Sequence, residues 1–521
     1  MMNKILTAIY QHALTTPEKI ALSGQTKQLT YAQLVTQIEQ LADWLMAQHI
    51  GRAGLWGENS IEWIVADLAA WKAGITLVPL PRFFSRAQLQ HVIAQAQLPC
   101  LLVCGDMEQV AAISERKISP IATIFLDQLI ANENTSAIDS VAKITFTSGT
   151  TGTPKGVCLS TTALEKVTLA LAERIYLAIN SVTDTTRDIN SHLNLLPLST
   201  LLENVAGVYV PLYLGKRVIV LAGASLGLTG SSQLSLPTLL QALHQHQPNS
   251  LIVLPQILQG FVAASAQGFH LPASIKFIAL GGARTPAVLI EQARAMGIAV
   301  YEGYGLSECA SVVSLNAPLA DKIGSVGQAL EHVEIKIADG VINVRGNVFS
   351  GYLGQTTNQQ NEWLDTGDLG YIDDEGFVFI TGRKKNLLIS SFGRNISPEW
   401  IEAELCLCRA IAQVMVIGDS QPFCSAIVVP ASAQITAEQI AHEIRAINQH
   451  LPDYAQIQKC IIAAEPFTPA NQLLTDNGRL RRAAIFERYG DAITALYSAA
   501  NAHSSNLSSA MQYAGVVYDI F

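Results

Sequence analysis

The sequence predicts an α/β protein: a large N-terminal domain with parallel-rich sheets and a small β-rich subdomain, followed by a small α+β C-terminal domain. Three observations lead there. From Ser250 onward, short apolar runs alternate with helical patterns, a spacing that implies right-handed crossovers and a mostly parallel sheet. Near Gly324 the texture changes to short strands divided by turns rich in Asp and Gly. At Gly382-Arg383-Lys384-Lys385-Asn386 charge becomes dense, in a chain whose charged residues total only 14%, and a compact mixed module follows.

Met1 to Tyr10 carries an apolar run that Gln11 and His12 interrupt at once. This suits an amphipathic first helix better than a signal segment. Residues 31–48 have helical periodicity, and 75–78 and 101–104 read as short buried strands. Residues 141–147, mostly β-branched or aromatic, form a strand into a Gly/Thr-rich loop. A helix is expected to leave that loop, opened by Thr162 with Glu165 as a capping box. Further on, 251–254, 275–280 and 298–301 are strands and 286–296 is a helix. Gly281-Gly282 and Gly303-Tyr304-Gly305 fall at strand carboxyl ends, where open α/β sheets bind ligands. Segments 333–337, 341–345 and 377–381, with turns at Asp339-Gly340 and Asp374-Glu375-Gly376, make the β-rich subdomain. Segments 389–405 and 412–418 begin the last module. The domain limits expected are 1–383 and 384–500, with a tail at 501–521 that is either a loose end or a docking element.

At 521 residues the chain exceeds a single core, and 49% apolar content argues against disorder. A net charge of −9 offers no basic face for nucleic acid. Eight cysteines form no metal-spaced quartet, and Cys406 and Cys408 are expected on one helix. Reduced thiols and a cytoplasmic location follow. No window reaches 18 apolar residues, so no transmembrane span is expected, and peripheral membrane contact stays open.

Ile144 to Gly156 reads I-T-F-T-S-G-T-T-G-T-P-K-G. The hydroxyls of Thr147, Ser148, Thr150 and Thr151 can donate to phosphate oxygens. Gly149 and Gly152 let backbone N–H groups approach an anion, and Lys155 adds a point charge. The spacing is not that of a Walker loop. Tyr304 and Glu308, in Tyr301-Glu302-Gly303-Tyr304-Gly305-Leu306-Ser307-Glu308, pair a ring able to stack on a purine with a carboxylate able to hold Mg²⁺. Asp368, in Trp363-Leu364-Asp365-Thr366-Gly367-Asp368, can accept from two vicinal hydroxyls.

These segments, in this order, resemble the adenylate-forming (AMP-binding) superfamily, and look most like its long-chain fatty acyl-CoA synthetases. The resemblance covers most of the chain. It implies ATP, Mg²⁺ and CoA (or a carrier-protein phosphopantetheine), and a small-molecule carboxylic acid as substrate. It places Thr147 to Gly152 and Ser307 on the phosphates, Tyr304 on adenine, Glu308 on Mg²⁺, and Asp368 and Arg383 on the ribose or phosphate. Gly282 and Gly305 belong to the same nucleotide site. Arg479, in Asn477-Gly478-Arg479, stands where the family carries a lysine that contacts carboxylate and α-phosphate. It is expected to take over that work, or else to belong to a solvated basic cluster with Arg481 and Arg482. The family segment around Pro398-Glu399-Trp400 has Trp400 in place of its usual Glu, and Thr200 stands where His is common, near Glu203. Lys155, Glu308 and Arg479 are the expected catalytic residues. The small domain is expected to turn about Lys384 between adenylation and thiol attack.

The acid implied is fatty, with 251–257 and 277–282 lining a lipid channel or forming plain core. Ligation to an acyl carrier protein, an aryl or amino acid substrate, and a catalytically weakened binding homologue stay open.

Overall fold

The computed structural model describes residues 3–104, 122–125, 141–148, 154–177, 188–229, 233–355, 362–475, 478–498 and 516–520. Two large sheets dominate. One has nine strands and runs in parallel from Ile20–Ser23 through Arg217–Val220, Ser191–Asn194, Ser250–Val253 and Phe277–Leu280 to Val300–Tyr304. Antiparallel strands flank this parallel run on both sides. The other sheet has six strands, and its parallel centre (Cys100–Cys104, Arg52–Gly57, Thr76–Leu80, Val141–Ser148) has antiparallel edges. The main apolar cluster joins both sheets through the helices Tyr31–Ala47, Ile61–Lys72 and Thr161–Ala172.

Apolar positions three and four apart on Tyr31–Ala47 bury Leu34, Ile38, Leu41 and Leu45, and Thr30 with Gln33 closes a capping box at its start. The first helix, Lys4–Thr15, is capped by Asn3. The strand entering the Gly/Thr-rich loop matches the expectation, but the element leaving it does not. Pro154–Ser160 folds back antiparallel on Val141–Ser148, so the loop joins a hairpin. The helix begins only at Thr161, with Ser160 accepting from the Ala163 amide. Glu165, the expected capping partner, instead accepts from the Lys4 amide at 2.5 Å. The strand fills residues 154–160, between the loop and a helix that starts within a residue of the expected Thr162 but is capped by Ser160 instead.

The β-rich subdomain is one antiparallel sheet, Val333–Ala338, Val341–Gly346, Leu364–Ile372 and Val378–Arg383. The C-terminal sheet orders Ile411–Ile417, Cys424–Pro430, Ile457–Ile462 and Val516–Asp519. Its last strand comes from the expected tail and pairs antiparallel with Ile457–Ile462, while Ile520 is buried in the same core. Cys406 and Cys408 lie just past the helix Pro398–Leu405 rather than on it, and all eight cysteines are free. Among the described residues no helix is long and apolar enough to cross a membrane.

Candidate active site

Four parallel strands deliver the cleft. Ser191–Asn194, Ser250–Val253, Phe277–Leu280 and Val300–Tyr304 end on one side, and the chain leaves Phe277–Leu280 through Gly281 and Gly282. Gly282 adopts φ +87°, a conformation that favours glycine. At the end of Val300–Tyr304, a Cβ on Gly305 would overlap the Ser311 carbonyl oxygen. Only glycine lets the chain turn this tightly. Ser307–Cys309 forms one 3₁₀ turn that presents Glu308. Ala310 (φ +59°) and Ser311 (φ +113°) fix its exit, and strained backbone of this kind gathers at functional sites.

Asp368 is the buried centre of the cleft. The Tyr304 hydroxyl donates to its Oδ2 at 2.6 Å, and Arg383 Nε pairs with its Oδ1 at 2.7 Å. The strand pairing sets Asp368 directly opposite Arg383. Asp368 lies within a nine-residue strand. The neighbouring sheet strands override the turn preference of Thr366-Gly367. Burial, and then the Asp368 carboxylate, hold the Tyr304 phenol far above its ordinary value, so it stays a donor.

Lys155 lies on the antiparallel strand opposite Thr147, exposed at the mouth of the loop. Its Nζ sits 5.6 Å from the centroid of the Tyr352 ring. The Tyr352 hydroxyl donates to Glu308 Oε1 at 2.9 Å, so Lys155 and Glu308 meet through one aromatic side chain. Ser148 ends the strand, paired with Pro154. Gly149, Thr150, Thr151 and Gly152 lie outside the described residues.

Arg479 reaches this cleft from the C-terminal module. Desolvation lowers its guanidinium and the nearby Arg383 lowers it further, while Asp368 and Glu308 oppose both. Lys385 is lowered by desolvation and by Arg383 and Arg479 in the same way. A basic cluster thus faces two carboxylates. Arg482 is a separate case. It donates to both oxygens of Glu402, at 2.8 Å to Oε1, and Glu402 also accepts from the Val416 amide. That ion pair builds the module, and Arg482 also lies 3.7 Å from Glu399. Trp400 packs against the module's apolar core.

Two buried networks were not visible in the sequence. Lys143 donates to Asp67 at 2.8 Å and to Tyr209 at 2.7 Å, and also binds Asn204. Burial lowers its ammonium, opposed by Asp67. Glu203 accepts from Asn194 at 2.8 Å and from the Leu196 amide at 2.9 Å, and its Oε1 lies 3.0 Å from His192 Nε2. Glu203 therefore braces the strand end beneath the cleft. Thr200 turns its hydroxyl to the Pro197 carbonyl at 2.6 Å.

A family model described as AMP-binding enzyme matches residues 9–353, and one described as AMP-binding enzyme C-terminal domain matches 385–501. A 2-succinylbenzoate--CoA ligase of Bacillus velezensis is 30% identical over 442 residues, 80% of this chain and 85% of that protein. The O-succinylbenzoate coenzyme A synthetase of Bacillus subtilis, solved with AMP, superposes with a TM-score of 0.69 at 25% identity, covering 91% of this chain and 98% of that one. The same protein with ATP and magnesium gives 0.70 at 25% identity, with the same coverage. An anthranilate CoA ligase at 18% identity and a TM-score of 0.75 shares the fold.

Proposed function

The chain belongs to the AMP-binding enzyme family and is an AMP-forming acid–CoA ligase, and from that premise we propose that its acid is an aromatic carboxylate of the 2-succinylbenzoate kind. The observation that carries this reading is the 30% identity spread across 85% of the Bacillus velezensis ligase. The fatty acid expected from the sequence has no support among these relatives. Tyr304 to Glu308 and Gly382 to Asn386, which suggested it, are assigned to the nucleotide in this reading, so they carry little information on the acid. A carrier protein as acceptor also lacks support. Eight free thiols suit a reducing compartment such as the cytoplasm.

A carboxylate and a triphosphate repel each other, so the site must supply fixed positive charge. Lys155, from the N-terminal part, and Arg479, from the C-terminal module, supply it. The hydroxyls of Thr147, Ser148, Thr150 and Thr151, with the glycines at 149 and 152, donate to the phosphates. Asp368 takes the ribose hydroxyls on the lone pairs that Tyr304 and Arg383 leave free, and Tyr304 presents its ring to adenine. Glu308 contributes the single carboxylate that magnesium needs when the nucleotide's phosphates complete its shell. Bound there, Mg²⁺ would spread the negative charge that develops as pyrophosphate departs. Holding the acid's oxygen in line with the α-phosphorus supplies much of the remaining advantage. The domain boundary falls at 383/384, with Lys384 as the pivot that turns the 384–500 module before CoA attacks.

The test is a panel of succinylated and simple aryl acids, fatty acids and amino acids, each offered with ATP and CoA, with thioester formation followed by mass. 2-Succinylbenzoate should lead by about tenfold or more, the discrimination that one or two matched polar contacts provide. A fatty acid turned over faster than every aryl acid would overturn the assignment.

A further inference from the structure

Lys155 lies on an edge strand of the six-stranded sheet and Glu308 on the 3₁₀ turn Ser307–Cys309, far apart in sequence, yet one short segment fastens both. The Phe349 amide donates to the Glu308 carbonyl at 2.7 Å. The Ser350 amide donates to the Cys158 carbonyl at 2.8 Å, the Cys158 amide to the Gly351 carbonyl at 3.1 Å, and the Leu353 amide to the Gly156 carbonyl at 2.8 Å. Val157 and Tyr352 form an antiparallel bridge. The segment thus adds itself to the edge strand that carries Lys155 while gripping the turn that carries Glu308.

Tyr352 is the side chain through which the two functional groups meet. Its hydroxyl donates to Glu308 Oε1 at 2.9 Å, and its ring carries Lys155 Nζ at 5.6 Å from the centroid. Phe349 packs edge-on against that ring, with centroids 4.9 Å apart and planes at 73°, which fixes its tilt. A phenol bound to a carboxylate commits one oxygen and leaves the other available. A cation over a ring face is held in place without giving up its hydrogen-bond donors.

Resting on the function proposed above, we propose that Tyr352 is a positioning residue that orients Glu308 toward magnesium and seats Lys155 against the nucleotide's phosphates. It divides into two parts that substitution can separate. Tyr352→Phe removes the hydroxyl and keeps the ring, so it releases Glu308 and leaves Lys155 seated. Tyr352→Leu removes both.

The test is calorimetric titration of the full chain with ATP across a range of magnesium concentrations, with thermal melting of each variant as the folding control and Glu308→Gln alongside. Tyr352→Phe should melt as wild type and bind ATP without magnesium equally well. It should need about tenfold more magnesium for half-maximal binding, the loss expected for a hydrogen bond to a charged group. Tyr352→Leu should in addition weaken magnesium-free ATP binding, because Lys155 loses its seat. Tyr352→Phe with the magnesium response of wild type, while Glu308→Gln loses that response, would overturn the role of Tyr352 alone. Glu308→Gln that responds to magnesium as wild type does would overturn both this role and the parent reading of the site.

Discussion

Arg479 is solvent-exposed and close enough to Arg383, Asp368 and Glu308 to feel their charges, and the balance of those charges decides what it can do. The two carboxylates keep it charged although desolvation and Arg383 work against that. A planar guanidinium can bridge a carboxylate and a phosphate, which is the contact adenylation needs. Arg479→Ala should therefore slow acid-dependent pyrophosphate exchange about a hundredfold, as removal of one transition-state donor does. Exchange at the wild-type rate would return Arg479 to the solvated cluster. Glu302, two residues before Tyr304, shows a different balance. It is buried, and desolvation pushes its carboxyl up to about 8, with Arg284 opposing. The unfolded group titrates near 4.5. Between those values the folded chain keeps a proton that the unfolded chain has lost. Stability attributable to Glu302 therefore falls as pH rises from 4.5 through about 8, and its cost is complete above that. Glu302→Gln removes this linkage. Its unfolding free energy, measured by denaturant titration, should gain on wild type more at pH about 9 than at pH about 5, by an amount on the order of a few kcal/mol at most. An equal difference at both pH values would show that Glu302 titrates normally.

Val516–Asp519 lies beyond the matched C-terminal family model, which ends at 501, yet it completes that domain's sheet. Arg445 donates to the Ile520 carbonyl at 2.8 Å, Lys459 pairs with Asp519 at 3.5 Å, and Ile520 is fully buried. Deleting 502–521 should raise amide exchange in Ile457–Ile462, which loses its edge partner, and cost the module about 2 kcal/mol or more for the buried apolar side chain. Unchanged protection there would make the strand dispensable. Elements of this kind mark the limit of what the sequence reveals. Tyr304, Glu308 and Asp368 were legible because each sits in a short run with chemistry of its own, and Arg383 and Arg479 through the family resemblance; Tyr304 and Arg383 both bond Asp368, and Arg479 lies within reach of its charge. Lys143 with Asp67, 76 residues apart, and Tyr352 with Glu308, 44 apart, were not, because folding alone brings them together. Pro154–Ser160 was hidden by its Pro and Gly, which weaken a strand signal, and Leu364–Ile372 by its turn-forming residues. In both cases pairing across the sheet decided the outcome.

At the scale of the molecule, the proposed function has the parallel sheet supply strand ends for nucleotide and acid, the six-stranded sheet supply Lys155, and the C-terminal module supply Arg479. The modules touch away from the cleft as well: Gln259 donates to the Cys406 carbonyl at 2.9 Å. Arg284, beside Glu302, donates to the Thr381 carbonyl at 2.9 Å and feels Glu404 and Glu399 across the cleft. Lys155 and Glu308 meet at Tyr352, and Arg479 feels both Glu308 and Asp368, the grouping the proposed adenylation step calls for. The most direct measurement is a crystal structure of the chain with ATP and magnesium. The account predicts the triphosphate between Lys155 and Arg479, the metal on Glu308 and the ribose on Asp368. A nucleotide bound elsewhere, with Lys155 and Asp368 untouched, would contradict it.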